Sequence, residues 1–288
     1  MKEKREPNIA PSAEAPLTAV GRLLVDEPTD SFLNMAIDEA LLLSCQQGNE
    51  PSLFPAIRFY QWSTPTLSLG YSQRSSRTVA RDYCQMAGIN VVRRITGGRA
   101  VLHHRELTYS VVARSDEPPF SGSISETYRL ISRAIVGALA SLGVTAELSG
   151  REGSHTLPTS PMTRSPCFYS PSRHEVVYQG KKMVGSAQKR LRSSFLQHGS
   201  ILLDFDPQLL LLATGQQPGL RLPERIASIK EILQREVSPD ELIEGLVASF
   251  QQTLGLRLSP RGLTPSEEEE ARRLRKEKYS QDAWNYLK

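Results

Sequence analysis

Val91-Val92-Arg93-Arg94-Ile95-Thr96-Gly97-Gly98-Arg99-Ala100-Val101-Leu102-His103-His104 is the stretch on which the reading of this chain turns. A short apolar strand enters it, two glycines stand at its centre, and a second strand over residues 107–112 leaves it. A lone Gly-Gly pair after a strand is usually a turn. The stretch has neither the GxxxxGK[ST] spacing of a phosphate loop nor the GxGxxG of a dinucleotide fold. A second strand of small residues, Lys182-Met183-Val184-Gly185-Ser186-Ala187, gives it more weight, because small residues inside strands commonly mark close approach of another backbone or a ligand. Two such places in one domain predict the two sides of a narrow slot. An unbranched acyl chain would suit it, gaining about 0.8 kcal/mol for each buried methylene.

Outward from this centre, residues 31–47 read as a helix with Leu33, Ile37, Ala40, Leu41 and Ser44 on one face, Asp30 or Ser31 as N-cap and Gly48 as the stop. Residues 57–62 and 66–70 read as strands broken at Thr64-Pro65, and residues 79–87 as a helix ending at Gly88. Ser123 and Glu126 have capping-box spacing ahead of a helix that stops at Gly143. Residues 149–173 form a Ser/Pro/Thr/Arg-rich loop, followed by a hairpin with its turn at Gly180-Lys181 and a strand over residues 195–203. Everything after residue 206 reads as helical, with capping boxes at Ser238 and Thr264, and the charge run over 267–278 as a solvated helix face. The parse is one α+β unit, a mixed or antiparallel sheet core flanked by helices: residues 1–20 a mobile extension, 21–205 the catalytic part, and 206–288 a C-terminal helical segment packed on it.

The 288 residues carry 39% hydrophobic and 23% charged side chains, an ordinary globular balance. No apolar run reaches the roughly 18 residues of a membrane span, and the N-terminus lacks a secretory h-region, so a cytoplasmic protein away from membranes is expected. A net charge of +4 permits an acidic partner, but an acidic block just before the C-terminal basic one argues against nucleic acid. Cys45 and Cys84 fall on helices and read as packed side chains, whereas Cys167, in Ser165-Pro166-Cys167-Phe168, lies off any apolar face near Arg164, Arg173, His174, Lys181 and Lys182. A thiol has a reference pKa of about 8.5 and needs a nearby cation to be a good nucleophile at neutral pH. His103, His104 and His198 lack HExxH-type spacing and read as hydrogen-bonded pocket or sheet residues, not metal ligands.

Five segments in order resemble the biotin/lipoate protein ligase and lipoyl/octanoyl transferase superfamily: residues 34–40 (NMAIDEA), 65–70 (PTLSLG), 93–103 (RRITGGRAVLH), 182–188 (KMVGSAQ) and 198–202 (HGSIL). Ser-Pro-Cys-Phe at 165–168, Gly-Gly-Arg at 97–99 and Lys276-Glu277-Lys278-Tyr279 with Trp284 are similar to the cysteine-dependent octanoyltransferases of lipoate assembly. That resemblance implies that Cys167 takes an octanoyl group from acyl carrier protein as a thioester and passes it to a lysine of a lipoyl domain. Lys182 would favour the thiolate and polarise the acyl carbonyl. Arg94, Gly97, Gly98, Arg99 and His103 would line one side of the slot, and Gly185, Ser186, Ala187, His198 and Gly199 the other. No cofactor is implied, and a monomer is the expectation. The alternatives are an ATP-dependent lipoate ligase on the same fold, or an amidotransferase between two lipoyl domains.

Overall fold

The computed structural model describes residues 19–48, 50–150, 175–216 and 224–287. Of the sequence readings, the N-terminal extension as far as residue 18 and the part of the loop that carries Cys167 lie outside the described residues, while residues 19 and 20, read as the end of the extension, open the first strand. In chain order the strands are β1 (Ala19–Val25), β2 (Ala56–Tyr60), β3 (Thr66–Leu69), β4 (Asn90–Arg93), β5 (Val101–His103), β6 (Glu106–Arg114), β7 (Glu147–Leu148), β8 (Val176–Tyr178), β9 (Lys181–Lys182), β10 (Val184–Arg190), β11 (Ser194–Leu202) and β12 (Leu256–Pro260). The helices are α1 (Ser31–Gln47), α2 (Ser75–Thr78), α3 (Arg81–Met86), α4 (Ile124–Ser141), α5 (Pro207–Ala213), α6 (Ile229–Leu233), α7 (Pro239–Leu254), α8 (Pro265–Leu274) and α9 (Asp282–Asn285), with a π-helical turn, Arg275–Tyr279, between the last two.

A six-stranded mixed sheet in the order β10-β11-β6-β2-β1-β12 carries the architecture, and a three-stranded sheet, β4-β3-β5, stands beside it. Strand β6 shows why both faces of the large sheet are covered. Its alternate residues Leu107, Tyr109, Val111 and Ala113 join the core with Ile131, Ile135 and Leu139 of α4 and Leu242, Leu246 and Phe250 of α7. Val112, on the opposite face, joins Met35, Leu41 and Cys45 of α1. The third cluster fills the space between the small sheet (Leu67, Leu69, Val91, Val101) and Cys84 with Leu210 of α5.

Local chemistry sets the helix limits. Asp30 caps α1 by accepting from the N–H groups of Phe32 and Leu33, and Gly48 ends it at φ 70°. Ser123 and Glu126 form the expected reciprocal capping box, as do Thr264 and Glu267. The apolar face read for α1 is too narrow, since Asn34, Ala36, Asp38 and Leu42 are buried as well. That helix is enclosed by the sheet on one side and α8 on the other, so it has little need of a polar face.

Four readings are corrected. The hairpin turn sits at Gln179-Gly180, whose φ values of 49° and 77° suit a left-handed two-residue turn. Strands β9 and β10 are separate: β9 pairs with β8, and after Met183 the chain crosses to pair β10 with β11. The segment after residue 206 is not all helical, because β12 lies parallel to β1 at the sheet edge. The charge run is only partly solvated. Glu267 is 2% exposed and receives two hydrogen bonds from buried Arg22, at 2.8 and 2.9 Å, while Arg273 on the outer face pairs with Glu270 and Glu277.

Candidate active site

Strand register places the wall of the slot. Ala187, His198, Ser110 and Arg58 form one row across β10, β11, β6 and β2, and Gly185, Ser200, Thr108 and Tyr60 form the next. Directly opposed residues project to the same face, here the face covered by α1. Gly185 and Ala187 bring almost no side chain to their rows, and a cavity opens there. It is lined by Met35, Tyr60, Ser68, Arg94, Val101, His103, Thr108, Gly185, Ser186, Ala187, His198, Gly199 and Ser200.

Two carboxylate–imidazole–hydroxyl chains brace this cavity. His198 is hydrogen-bonded through Nδ1 to Asp38 at 2.8 Å and through Nε2 to Thr96 Oγ1 at 2.7 Å. Asp38 also accepts from Tyr60 at 2.9 Å and from Arg58 at 2.9 Å. Burial acts to raise the Asp38 pKa, but the hydrogen bond from His198 and the Arg58 charge outweigh it and hold the carboxyl below its ordinary value. In the second chain His103 bonds Glu106 at 3.2 Å and Ser68 Oγ at 2.8 Å, with the Trp62 ring stacked on it at 4.1 Å. Arg94 ties the two together. Its guanidinium donates to Thr96 Oγ1, to the carbonyl and hydroxyl of Ser68, and to the carbonyls of Gly97 and Arg99.

Burial pushes the His103 pKa below 6.5, because desolvation of the imidazolium outweighs the attraction of Glu106. The folded state therefore binds fewer protons than the unfolded chain below about pH 6.5, and stability falls as pH drops through that point. Urea denaturation is expected to show lower stability at pH 5.5 than at pH 7.5, with a smaller drop in a His103→Gln protein; a drop unchanged by the substitution would remove His103 from the account.

Seven of the twelve residues expected at the site meet in the cavity: Arg94, His103, Gly185, Ser186, Ala187, His198 and Gly199. Gly97, Gly98 and Arg99 are exposed. Gly98 sits opposite Ala187, so that a Cβ on it would lie 4.0 Å from the alanine methyl. Lys182 is buried and donates to Glu175 at 2.6 Å, its backbone fixed by Arg225 and Ala227 on the neighbouring segment. Cys167 lies outside the described residues. Cys45 and Cys84 are buried free thiols, pushed up by desolvation to about 12 and about 11, which suits packed side chains and not nucleophiles.

Sequence reasoning missed Asp38, Tyr60, Ser68, Thr96, Glu106, Thr108 and Ser200. A signal existed for part of this set. Thr108 and Ser110 alternate with apolar residues in a strand buried on both faces, which marks a polar stripe under cover. Among the described residues no group of three or more His, Cys, Asp or Glu is placed to hold a metal ion.

The family model described as the lipoyl protein ligase A/B catalytic domain matches residues 30–251. The chain belongs to that family. A protein of Kyrpidia tusciae named octanoyltransferase LipM is 42% identical over 93% of this chain and 98% of its own length. One of the same name from Brevibacillus brevis is 39% identical, with 92% and 98% covered. Among solved structures of the family, lipoate-protein ligase A bound with ATP is 30% identical, with a TM-score of 0.75 and coverage of 92% and 98%. A bi-partite lipoate protein ligase of Thermoplasma acidophilum is 27% identical, with a TM-score of 0.75 and coverage of 94% and 98%. The mixed sheet flanked by helices is thus the fold of the lipoate-protein ligases.

Proposed function

We propose that the chain is an octanoyltransferase of lipoate biosynthesis, moving an octanoyl group from acyl carrier protein to a lysine of a lipoyl domain through a thioester on Cys167. The observation that carries this reading is the cavity itself, opened by Gly185 and Ala187 on the strand that follows Lys182, with Arg94, His103 and His198 in its wall already engaged in hydrogen bonds. A slot walled by small residues suits a straight chain over a branched one, and full burial of the seven carbons beyond the carbonyl would contribute at most roughly 5–6 kcal/mol. The named LipM relatives support the choice of octanoyl transfer over ligation.

In the first half-reaction the Cys167 thiolate attacks the carrier thioester, the bond to the carrier sulfur breaks, and the carrier leaves as its thiolate, which takes up a proton equivalent to the one Cys167 released on ionising. In the second, the neutral lysine amine attacks the Cys167 thioester, the amide C–N bond forms and the C–S bond breaks. The departing sulfur takes the proton lost by nitrogen. Each half passes through a tetrahedral oxyanion, for which the Lys182 ammonium is the proposed donor, and a cation beside a thiol also favours the thiolate. No metal, cofactor or nucleotide enters the scheme. A monomer acting in the cytoplasm is part of the proposal, and no helix among the described residues is long and apolar enough to cross a membrane.

The test uses octanoyl-acyl carrier protein without ATP, followed by mass spectrometry. An adduct of one octanoyl group on Cys167, lost in Cys167→Ser together with transfer, is expected. Absence of the adduct, with activity that needs ATP and free acid, would make the chain a ligase. Adduct-free transfer by Cys167→Ser would remove the covalent step.

A further inference from the structure

We propose that residues 275–287 form a buckle that sets the spacing of two walls of the slot, with Glu39 and Arg93 as the positioning residues through which it acts. The segment grips the α1 wall at one point. Lys278 Nζ donates to both carboxylate oxygens of Glu39 at 2.8 Å, and the Tyr279 hydroxyl donates to Oε2 at 2.6 Å. Glu39 follows Asp38, the partner of His198 in the cavity, so this grip fixes the part of α1 that orients His198.

At its other end the segment grips the Gly-Gly loop. Arg93 is 1% exposed, and all six acceptors of its guanidinium are backbone carbonyls. Three belong to the turn at Gly70, Tyr71 and Gln73, and three to Trp284, Asn285 and Leu287. The Arg93 backbone is held as well: its N–H donates to Asn285 Oδ1 at 2.9 Å, and its carbonyl accepts from Trp284 Nε1 at 2.8 Å. A planar five-donor fork holds such a set in one geometry, which a lysine would not do. Arg93 leads directly into Arg94, whose guanidinium shapes the loop from inside, and Tyr71 N–H donates to Thr96 O at 2.8 Å. The loop from 94 to 100 has no regular secondary structure, so these contacts define its shape.

Hydrogen exchange on the full chain tests the inference. Asn285→Ala removes the acceptor of the Arg93 N–H and the donor to Tyr279 O. Amide exchange in peptides covering 94–100 is expected to rise about tenfold, in keeping with one or two lost buried hydrogen bonds. Trp284→Phe, which keeps an aromatic ring but loses the Nε1 donor and part of the indole packing against Tyr71, Tyr279 and Lys278, is expected to give a smaller rise in the same peptides and serves if the first variant does not fold. Faster exchange confined to residues 275–287 in both variants would overturn the proposal and leave the segment as surface packing. The exchange readout needs no acyl group, so it stands apart from the octanoyl reading. That reading adds a second arm: octanoate binding to each variant should weaken in step with loop exchange, measured well below the melting temperature. Affinity per folded molecule equal to wild type, with a looser loop, would also overturn the positioning role.

Discussion

Replacing Lys182 with Met is expected to destabilise the protein by about 3–5 kcal/mol and to abolish formation of the Cys167 adduct. Lys182 and Glu175 are 1% and 5% exposed, and their Nζ and Oε1 atoms are 2.6 Å apart. Removing the ammonium takes from buried Glu175 the Nζ donor 2.6 Å from its Oε1, and breaking a buried pair from one side costs more than the pair itself is worth. Glu175→Gln should cost less, since an amide oxygen still accepts from Nζ. The double replacement Lys182→Met with Glu175→Leu should recover much of the lost stability while staying inactive. Urea denaturation of the four proteins, with adduct mass spectrometry on each, separates the two effects. A stable and active Lys182→Met protein would defeat the proposed role, whereas a double variant as unstable as the single would defeat the account of the cost.

Gly70→Ala is the other large effect, and here space decides. A Cβ at position 70 would lie 2.0 Å from Gly98 O and 2.8 Å from its carbonyl carbon. Both obstacles are backbone, so no rotamer change relieves them. Overpacking of this kind costs about 1–3 kcal/mol or more, and the yielding part is the loop that Arg94 and Thr96 depend on. Octanoate affinity should fall at least about tenfold together with stability. Gly97→Ala is the control from the same loop: nothing stands within 4 Å of a Cβ there, and stability should stay within about 0.5 kcal/mol of wild type. Equal behaviour of the two variants, by denaturation and calorimetric binding, would refute the steric argument.

These two sites also mark what could be read without coordinates. The small residues at Gly97, Gly98, Gly185 and Ala187 signalled a narrow slot, because loss of side chain is written in the sequence itself. Which glycine is indispensable was not legible: Gly70 carries the clash and Gly97 does not, and that depends on a contact between segments about 28 residues apart. Asp38 escaped notice for a similar reason. On a helix it reads as a surface acid, and only the packing of α1 against β2 and β11 makes it the buried acceptor of Arg58, Tyr60 and His198. Capping boxes were legible at Ser123 and Thr264 because their partners lie three residues away. β12 was not, since five residues of mixed polarity after a helix make a strand only by pairing with β1.

The parallel pairing of β1 with β12 has a consequence for how the chain is made. Ala19 and Leu256 stand opposite one another in that ladder, so one hydrogen-bonding edge of the first strand must wait for a partner 237 residues downstream. At ribosomal speeds of about 5–20 residues per second, that wait lasts roughly 10–50 seconds. During it β1 can pair with β2 on its other side but offers an open edge to any neighbouring nascent chain. Folding of the large sheet is therefore completed from its C-terminal end, and a chain stopped before residue 256 lacks both the strand that covers the β1 edge and the 275–287 segment that holds Glu39 and Arg93.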